Sequence, residues 1–189
     1  MQTTGLNRRP WWARERPDRD FVLASLAFAL IATAAILAVA LVVWSFAPAS
    51  WQSLIADEQR TDATALTVVS LWVNNLVICS VPALAGVFAH RLVSRGSRGW
   101  AWVVVAVAAL GASRSLLMIG LVGGLDPTWL AGAAVWWIPE LAALGACCTA
   151  GWQAFRLADP EGVSRRLAHA LVFAGATLAL AAVVEVALT

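Results

Sequence analysis

From Phe21 to Phe46 the chain carries no charged side chain, and almost every residue is Ala, Leu, Val or Ile. The hydrocarbon of a bilayer is about 30 Å thick, and a helix needs about 20 apolar residues to cross it. In that medium only a helix or a closed barrel satisfies every backbone N–H and C=O, so a run of this length and composition implies a membrane-spanning helix. The arginines before it and Ala47-Pro48-Ala49 after it resemble the flanks of a cleaved signal peptide. The apolar run, however, far exceeds the roughly 7 to 15 residues of such a signal, so an uncleaved span is expected. The pattern then repeats. With 61% hydrophobic and 13% charged residues in 189, and a mean hydropathy of +0.78, the chain has room for five spans and no soluble domain beside them. The expected fold class is all-α, an integral membrane bundle of five transmembrane helices at about 21–46, 63–90, 100–124, 128–155 and 165–188, with an interfacial arm at 1–20.

The connections carry the punctuation and the charge. Asp126-Pro127 supplies an N-cap and a first-turn proline for the fourth helix. Asp159-Pro160-Glu161-Gly162 reads as a turn, with Ser164 capping the fifth helix. All thirteen basic residues are arginine, which together with the abundant alanine suggests a bacterial source. Arg8, Arg9, Arg14, Arg16 and Arg19 precede the first span, Arg91, Arg95 and Arg98 separate the second from the third, and Arg156, Arg165 and Arg166 separate the fourth from the fifth. Only Arg60 falls on the opposite side. Cytoplasmic loops collect arginine, so the N-terminus is expected in the cytoplasm and the C-terminus outside, in a bacterial cytoplasmic membrane. Trp44, Trp51 and Trp129 then fall at the outer interface, and Trp11, Trp12, Trp100, Trp102 and Trp152 at the inner one. Trp72, Trp136 and Trp137 fit neither belt. Arg8, Arg9, Trp11, Trp12 and Arg14 are expected to hold anionic lipid headgroups.

Charge inside the apolar runs points to function. A charged group near the bilayer centre costs roughly 2.5 to 3.5 kcal/mol on insertion scales and so faces a bundle interior or cavity. Glu140 lies in such a run, after Trp136-Trp137-Ile138-Pro139. Counting from the arginine layers at 1.5 Å per residue puts Glu140, Arg114 and Asn75 at one depth, about 22 to 24 Å in. An ion pair between Arg114 and Glu140 is expected, with Asn74 or Asn75 adding hydrogen bonds. Thr64, Thr67, Ser70 and Asn74 share one helical face as a polar stripe leading from the outer surface. Trp136 and Trp137, one turn before Glu140, are placed to shield it or to offer Arg114 a cation–π contact. Pro139 removes a backbone hydrogen bond at the same level, which predicts a kink. Gly120 and Gly124, Gly111 and Ser115, and Gly145 and Thr149 have the small-residue spacing of close helix packing.

Other chemistry finds little support. Cys79, Cys147 and Cys148 lie within spans and read as packing residues, not a disulfide framework. His90 and His169 sit at helix ends and make no zinc set. Neither nucleotide loops nor hydrolase signatures occur, so no catalytic residue, metal or cofactor is expected, and nucleic acid is not an expected partner because topology accounts for the arginines.

Asn74-Asn75 in an early span, Gly86 later in that helix, Glu140-Leu141-Ala142-Ala143 in the fourth span and the ending Ala181-Ala182-Val183-Val184-Glu185-Val186-Ala187-Leu188-Thr189 resemble the stage II sporulation protein M family across about residues 65–189. That family commonly places Pro-His-Gly before the glutamate, where this chain has Val135-Trp136-Trp137, so no histidine role carries over. The resemblance implies a non-enzymatic membrane subunit that scaffolds or recruits envelope machinery, and it covers Asn74, Asn75, Glu140 and Glu185. The residues themselves leave three classes open. An accessory or scaffold subunit in hetero-complex with other integral membrane proteins suits the short loops and small-residue faces. A small transporter or channel would use the Thr/Ser/Asn stripe and Arg114/Glu140 as a midplane site. An intramembrane enzyme would need a second carboxylate or nucleophile at the depth of Glu140.

Overall fold

The computed structural model describes residues 19–48, 65–156 and 160–188, which form five helices and no strand. They are α1 (Arg19–Phe46), α2 (Ala65–Ser94), α3 (Arg98–Leu125), α4 (Pro127–Arg156) and α5 (Pro160–Leu188). All five are long and apolar enough to cross a membrane. The arm at 1–18 with Arg8, Arg9, Trp11, Trp12 and Arg14, the connection at 49–64 with Thr64, and residues 157–159 lie outside the described residues.

Local chemistry sets the helix ends. At the α2–α3 turn, Gly96 adopts φ +82°, the left-handed region a side chain resists. Ser97 N–H donates to the Leu92 carbonyl (2.9 Å) and Gly96 N–H to the Val93 carbonyl (2.9 Å), the paired bonds of a Schellman cap. Asp126 serves both sides of the next turn. Its backbone N–H donates to Val122 and closes α3, while its Oδ1 accepts from the N–H groups of Thr128 and Trp129, each at 3.0 Å, and opens α4. The Thr128 hydroxyl also donates to Oδ1 at 2.6 Å, and these bonds hold the Asp126 carboxyl below the usual carboxylate range. The fifth helix begins at Pro160 instead of being capped by Ser164, which sits inside it. A proline opens a helix without loss, because first-turn N–H groups have no intrahelical acceptor.

α4 is the axis of the bundle. It touches each of the other four helices, whereas α1 meets neither α2 nor α5 among the described residues. Over its most apolar stretch 56% of α4 is buried, against 17% to 22% in the other helices. Small residues explain that centrality. Buried alanines dominate the core (Ala83, Ala112, Ala143, Ala146, Ala150, Ala170 and Ala174), with a few leucines such as Leu144 and Leu178 among them, while many other Leu, Val and Phe side chains are exposed. In lipid there is no hydrophobic drive between helices, so close backbone approach supplies the packing. A Cβ on Gly86 of α2 would land on the carbonyl oxygen of Gly151 in α4, and one on Gly151 would land on that of Pro82. Gly124 packs on α1, where a Cβ would lie 2.6 Å from the Ala40 carbonyl oxygen, and Gly145 does the same against Ser25 at 2.8 Å. Gly111 lies open, with nothing within 4 Å, so the Gly111/Ser115 spacing marks no packed face within the bundle at Gly111.

Both internal prolines are carried within helices, Pro82 in α2 and Pro139 in α4. Hydroxyls in the spans turn back on their own helix: Ser25 on Phe21, Thr33 on Ala29, Ser113 on Ala109. That is how a polar side chain is tolerated where no water is at hand.

Candidate functional site

Asn75 and Gly86 are eleven residues apart on α2, and Glu140 and Gly151 are eleven apart on α4. Eleven residues make about three helical turns, so each pair shares one face of its helix. α2 and α4 therefore run parallel, in contact at Gly86 and Gly151 and joined by a polar tie three turns away. There Asn75 Nδ2–H donates to Oε1 of Glu140. Asn74 Nδ2–H in turn donates to Asn75 Oδ1 at 3.3 Å, so the chain of donors runs Asn74, Asn75, Glu140. Both Asn75 and Glu140 are half-buried; Asn74 is exposed.

A cavity of about 50 Å³ adjoins the tie, lined by Asn75 and Cys79 of α2, Ser115 of α3, Glu140 and Leu144 of α4, and Leu178 of α5. That exceeds the roughly 15 Å³ needed to seat one water. It falls well below the roughly 300 Å³ at which small-molecule pockets begin. Glu185, half-buried near the end of α5, lies within electrostatic reach of Glu140. The arrangement can hold a water and lock two helices in register. Larger grooves of about 270 and 220 Å³ run along the bundle, lined mainly by apolar side chains.

The expected ion pair is not formed. Arg114 lies exposed on α3, and the hydrogen bond that Glu140 accepts comes from Asn75. Successive helical residues point about 100° apart, so the depth estimated for Arg114 can hold while the neighbouring Ser115 is the residue that faces Glu140. The polar stripe shows the same offset. Ser70 and Asn74 are exposed, Ser70 Oγ donating to the Thr67 carbonyl at 3.3 Å, whereas Thr67 and Asn75 are half-buried. The stripe therefore does not lead to Glu140. Nor do the tryptophans meet Arg114. Trp136 and Trp137 are buried in a cluster with Ala32, Ile36 and Ala40 of α1, and Trp137 Nε1–H donates to the Leu130 carbonyl at 3.1 Å. Among the described residues a cation–π contact is formed instead by Arg156 over Trp152, at 5.6 Å, beside an aromatic cluster with Trp102 and Phe155.

Two contributors escape a reading by depth and residue type. Ser115 looks like a small packing residue until its cavity is seen. Trp72 Nε1–H donates to the Gly175 carbonyl at 2.9 Å and ties α2 to α5. Its signal was present in the sequence, because Trp72 fits neither interfacial belt. Among the described residues no group of three or more His, Cys, Asp or Glu is placed to hold a metal ion.

No protein-family model, curated protein or solved structure matches the chain.

Proposed function

We propose that this multi-pass membrane protein is a non-enzymatic accessory or scaffold subunit of a bacterial envelope or transport complex, seated in the cytoplasmic membrane with its N-terminus inside. The carrying observation is the use made of its half-buried carboxyl group. Glu140 is bonded to Asn75 on the neighbouring helix, beside a cavity of about 50 Å³, well below the roughly 300 Å³ at which small-molecule pockets begin. A transport site needs room and a path, and here the polar face at Ser70 and Asn74 is turned away from Glu140. The likeness of Asn74, Asn75, Glu140 and Glu185 to the stage II sporulation protein M family favours the same reading. So does the arginine bias, which supports the orientation.

Gentle extraction from the native membrane, followed by mass determination and subunit identification, tests the proposal. Stoichiometric recovery of other membrane chains is the expected result. A lone chain or homo-oligomer that moves solute across liposomes overturns it in favour of a transporter.

A further inference from the structure

Arg114 is an anomaly that the Asn75–Glu140 tie does not absorb. It stands on α3 sixteen residues from Arg98 and eleven from Leu125. At 1.5 Å per residue that is about 16 Å from the nearer helix end, close to the middle of a hydrocarbon layer of about 30 Å. The exposed Ser113 beside it returns its hydroxyl to the Ala109 carbonyl at 2.8 Å. Arg114 makes no hydrogen bond or ion pair with any described residue, and its guanidinium carries five N–H donors and a permanent charge. Around it the outward face of α3 is apolar: Leu110 is 71% exposed, Leu117 50% and Met118 52%. One turn away, Gly111 is exposed with nothing within 4 Å of where a Cβ would stand, a notch that admits another backbone.

We propose that this face of α3 docks a membrane-spanning helix of a different protein, one that carries an aspartate or glutamate at mid-bilayer to pair with Arg114. The inference deepens the subunit reading above and rests on it. Charge selects the partner. A second copy of this chain meeting face to face across a two-fold axis would set Arg114 near Arg114. Glu140 of a second copy would be turned to its own Asn75 inside the bundle. A carboxylate on a foreign helix removes the cost of the lone charge, and the Gly111 notch brings that helix close enough for bidentate pairing.

The test uses the whole chain in phospholipid vesicles with fluorescent Leu/Ala transmembrane peptides bearing a central Glu, Leu or Lys, association being read by energy transfer. The Glu peptide is expected to associate about tenfold more tightly than the Leu peptide, with the Lys peptide weakest. Arg114→Leu should bring Glu and Leu peptides within about twofold of each other, while Arg114→Lys, which keeps the charge and loses the bidentate fork, retains part of the preference. Equal association of Glu and Leu peptides with the unaltered chain overturns the proposal, as does a Glu preference that survives in Arg114→Leu. Helix content and thermal midpoint of each variant, read in the same vesicles, separate docking from folding. Native membranes separate the two readings. A hetero-assembly of unchanged mass in Arg114→Leu sinks the Arg114 docking alone, whereas a chain that runs by itself without alteration sinks the subunit reading.

Discussion

The seam between α2 and α4 and the outward face of α3 each carry a glycine and a polar group that a membrane helix tolerates poorly, and they treat them oppositely. At the seam, Gly86 meets Gly151 backbone to backbone and Glu140 accepts the Asn75 amide. On α3, Gly111 meets nothing and Arg114 points out of the bundle. The same residue types therefore serve closure in one region and leave the other open. Small residues mark where a helix can be approached, and the azimuth of the polar neighbour decides whether the approach comes from within the chain.

The largest expected effects break that comparison at the glycines. Gly86→Leu or Gly151→Leu drives a side chain into a carbonyl that cannot move without parting α2 from α4, a cost of about 3 kcal/mol or more. Gly111→Leu enters open space and changes the stability of the isolated chain by less than about 0.5 kcal/mol. Reversible unfolding in bicelles gives both numbers. Comparable losses at Gly86 and Gly111 would mean that α3 is packed on this face within the chain.

The polar tie comes next. Asn75→Leu leaves the Glu140 carboxyl without its donor and should cost about 1 to 2 kcal/mol, more than Glu140→Gln, which keeps an acceptor oxygen in place. A double-mutant cycle between Asn75→Ala and Glu140→Ala should return a coupling of about 1 kcal/mol, and the same cycle between Arg114 and Glu140 about zero. Exchanging the charges, Arg114→Glu with Glu140→Arg, rescues nothing, because the two side chains do not meet.

That outcome traces what the sequence made legible. The five spans were readable because twenty-odd apolar residues have one stable form in lipid, and Asp126-Pro127 was readable as a cap because its chemistry is local. The level of Glu140 and Asn75 followed from a fixed rise per residue. The side each residue faces did not. Asn74 and Asn75 are one residue apart, as are Arg114 and Ser115, yet in each pair one faces the bundle more than the other. Strongly apolar helices give no amphipathic stripe to fix rotation, since lipid and core attract the same side chains. What does distinguish their faces is size, with alanine the commonest buried residue and most of the exposed large side chains Leu and Val. Trp72 and Trp137 each turn an indole N–H to a backbone carbonyl where they enter the bundle.

The turn joining α3 to α4 links the two regions, and its cap offers a smaller effect. Asp126→Ala removes the acceptor for Thr128 and Trp129 and should cost about 1 kcal/mol. The folded carboxyl titrates below its ordinary value, so this contribution is present above that value and fades as pH falls through the lowered one. Thermal midpoints of the unaltered chain and of Asp126→Ala should therefore differ at neutral pH and converge in acid. A gap that persists in acid would assign the effect to packing at Trp129 instead of to the cap.

The smallest effect on the fold is expected at the residue with the most charge to place. Arg114→Leu deletes no hydrogen bond to any described residue and replaces a cation at mid-bilayer with an apolar side chain. The isolated chain should be unchanged to within about 0.5 kcal/mol, or slightly more stable. Set beside the loss at Asn75, this separates a polar group that holds the bundle together from one that the bundle leaves outside. A destabilisation by Arg114→Leu matching that of Asn75→Leu would place the arginine inside the bundle's own network and erase the distinction between the α2–α4 seam and the α3 face. Near-neutrality in the isolated chain, with loss of a partner in the native membrane, would instead locate the arginine's counter-charge in another protein.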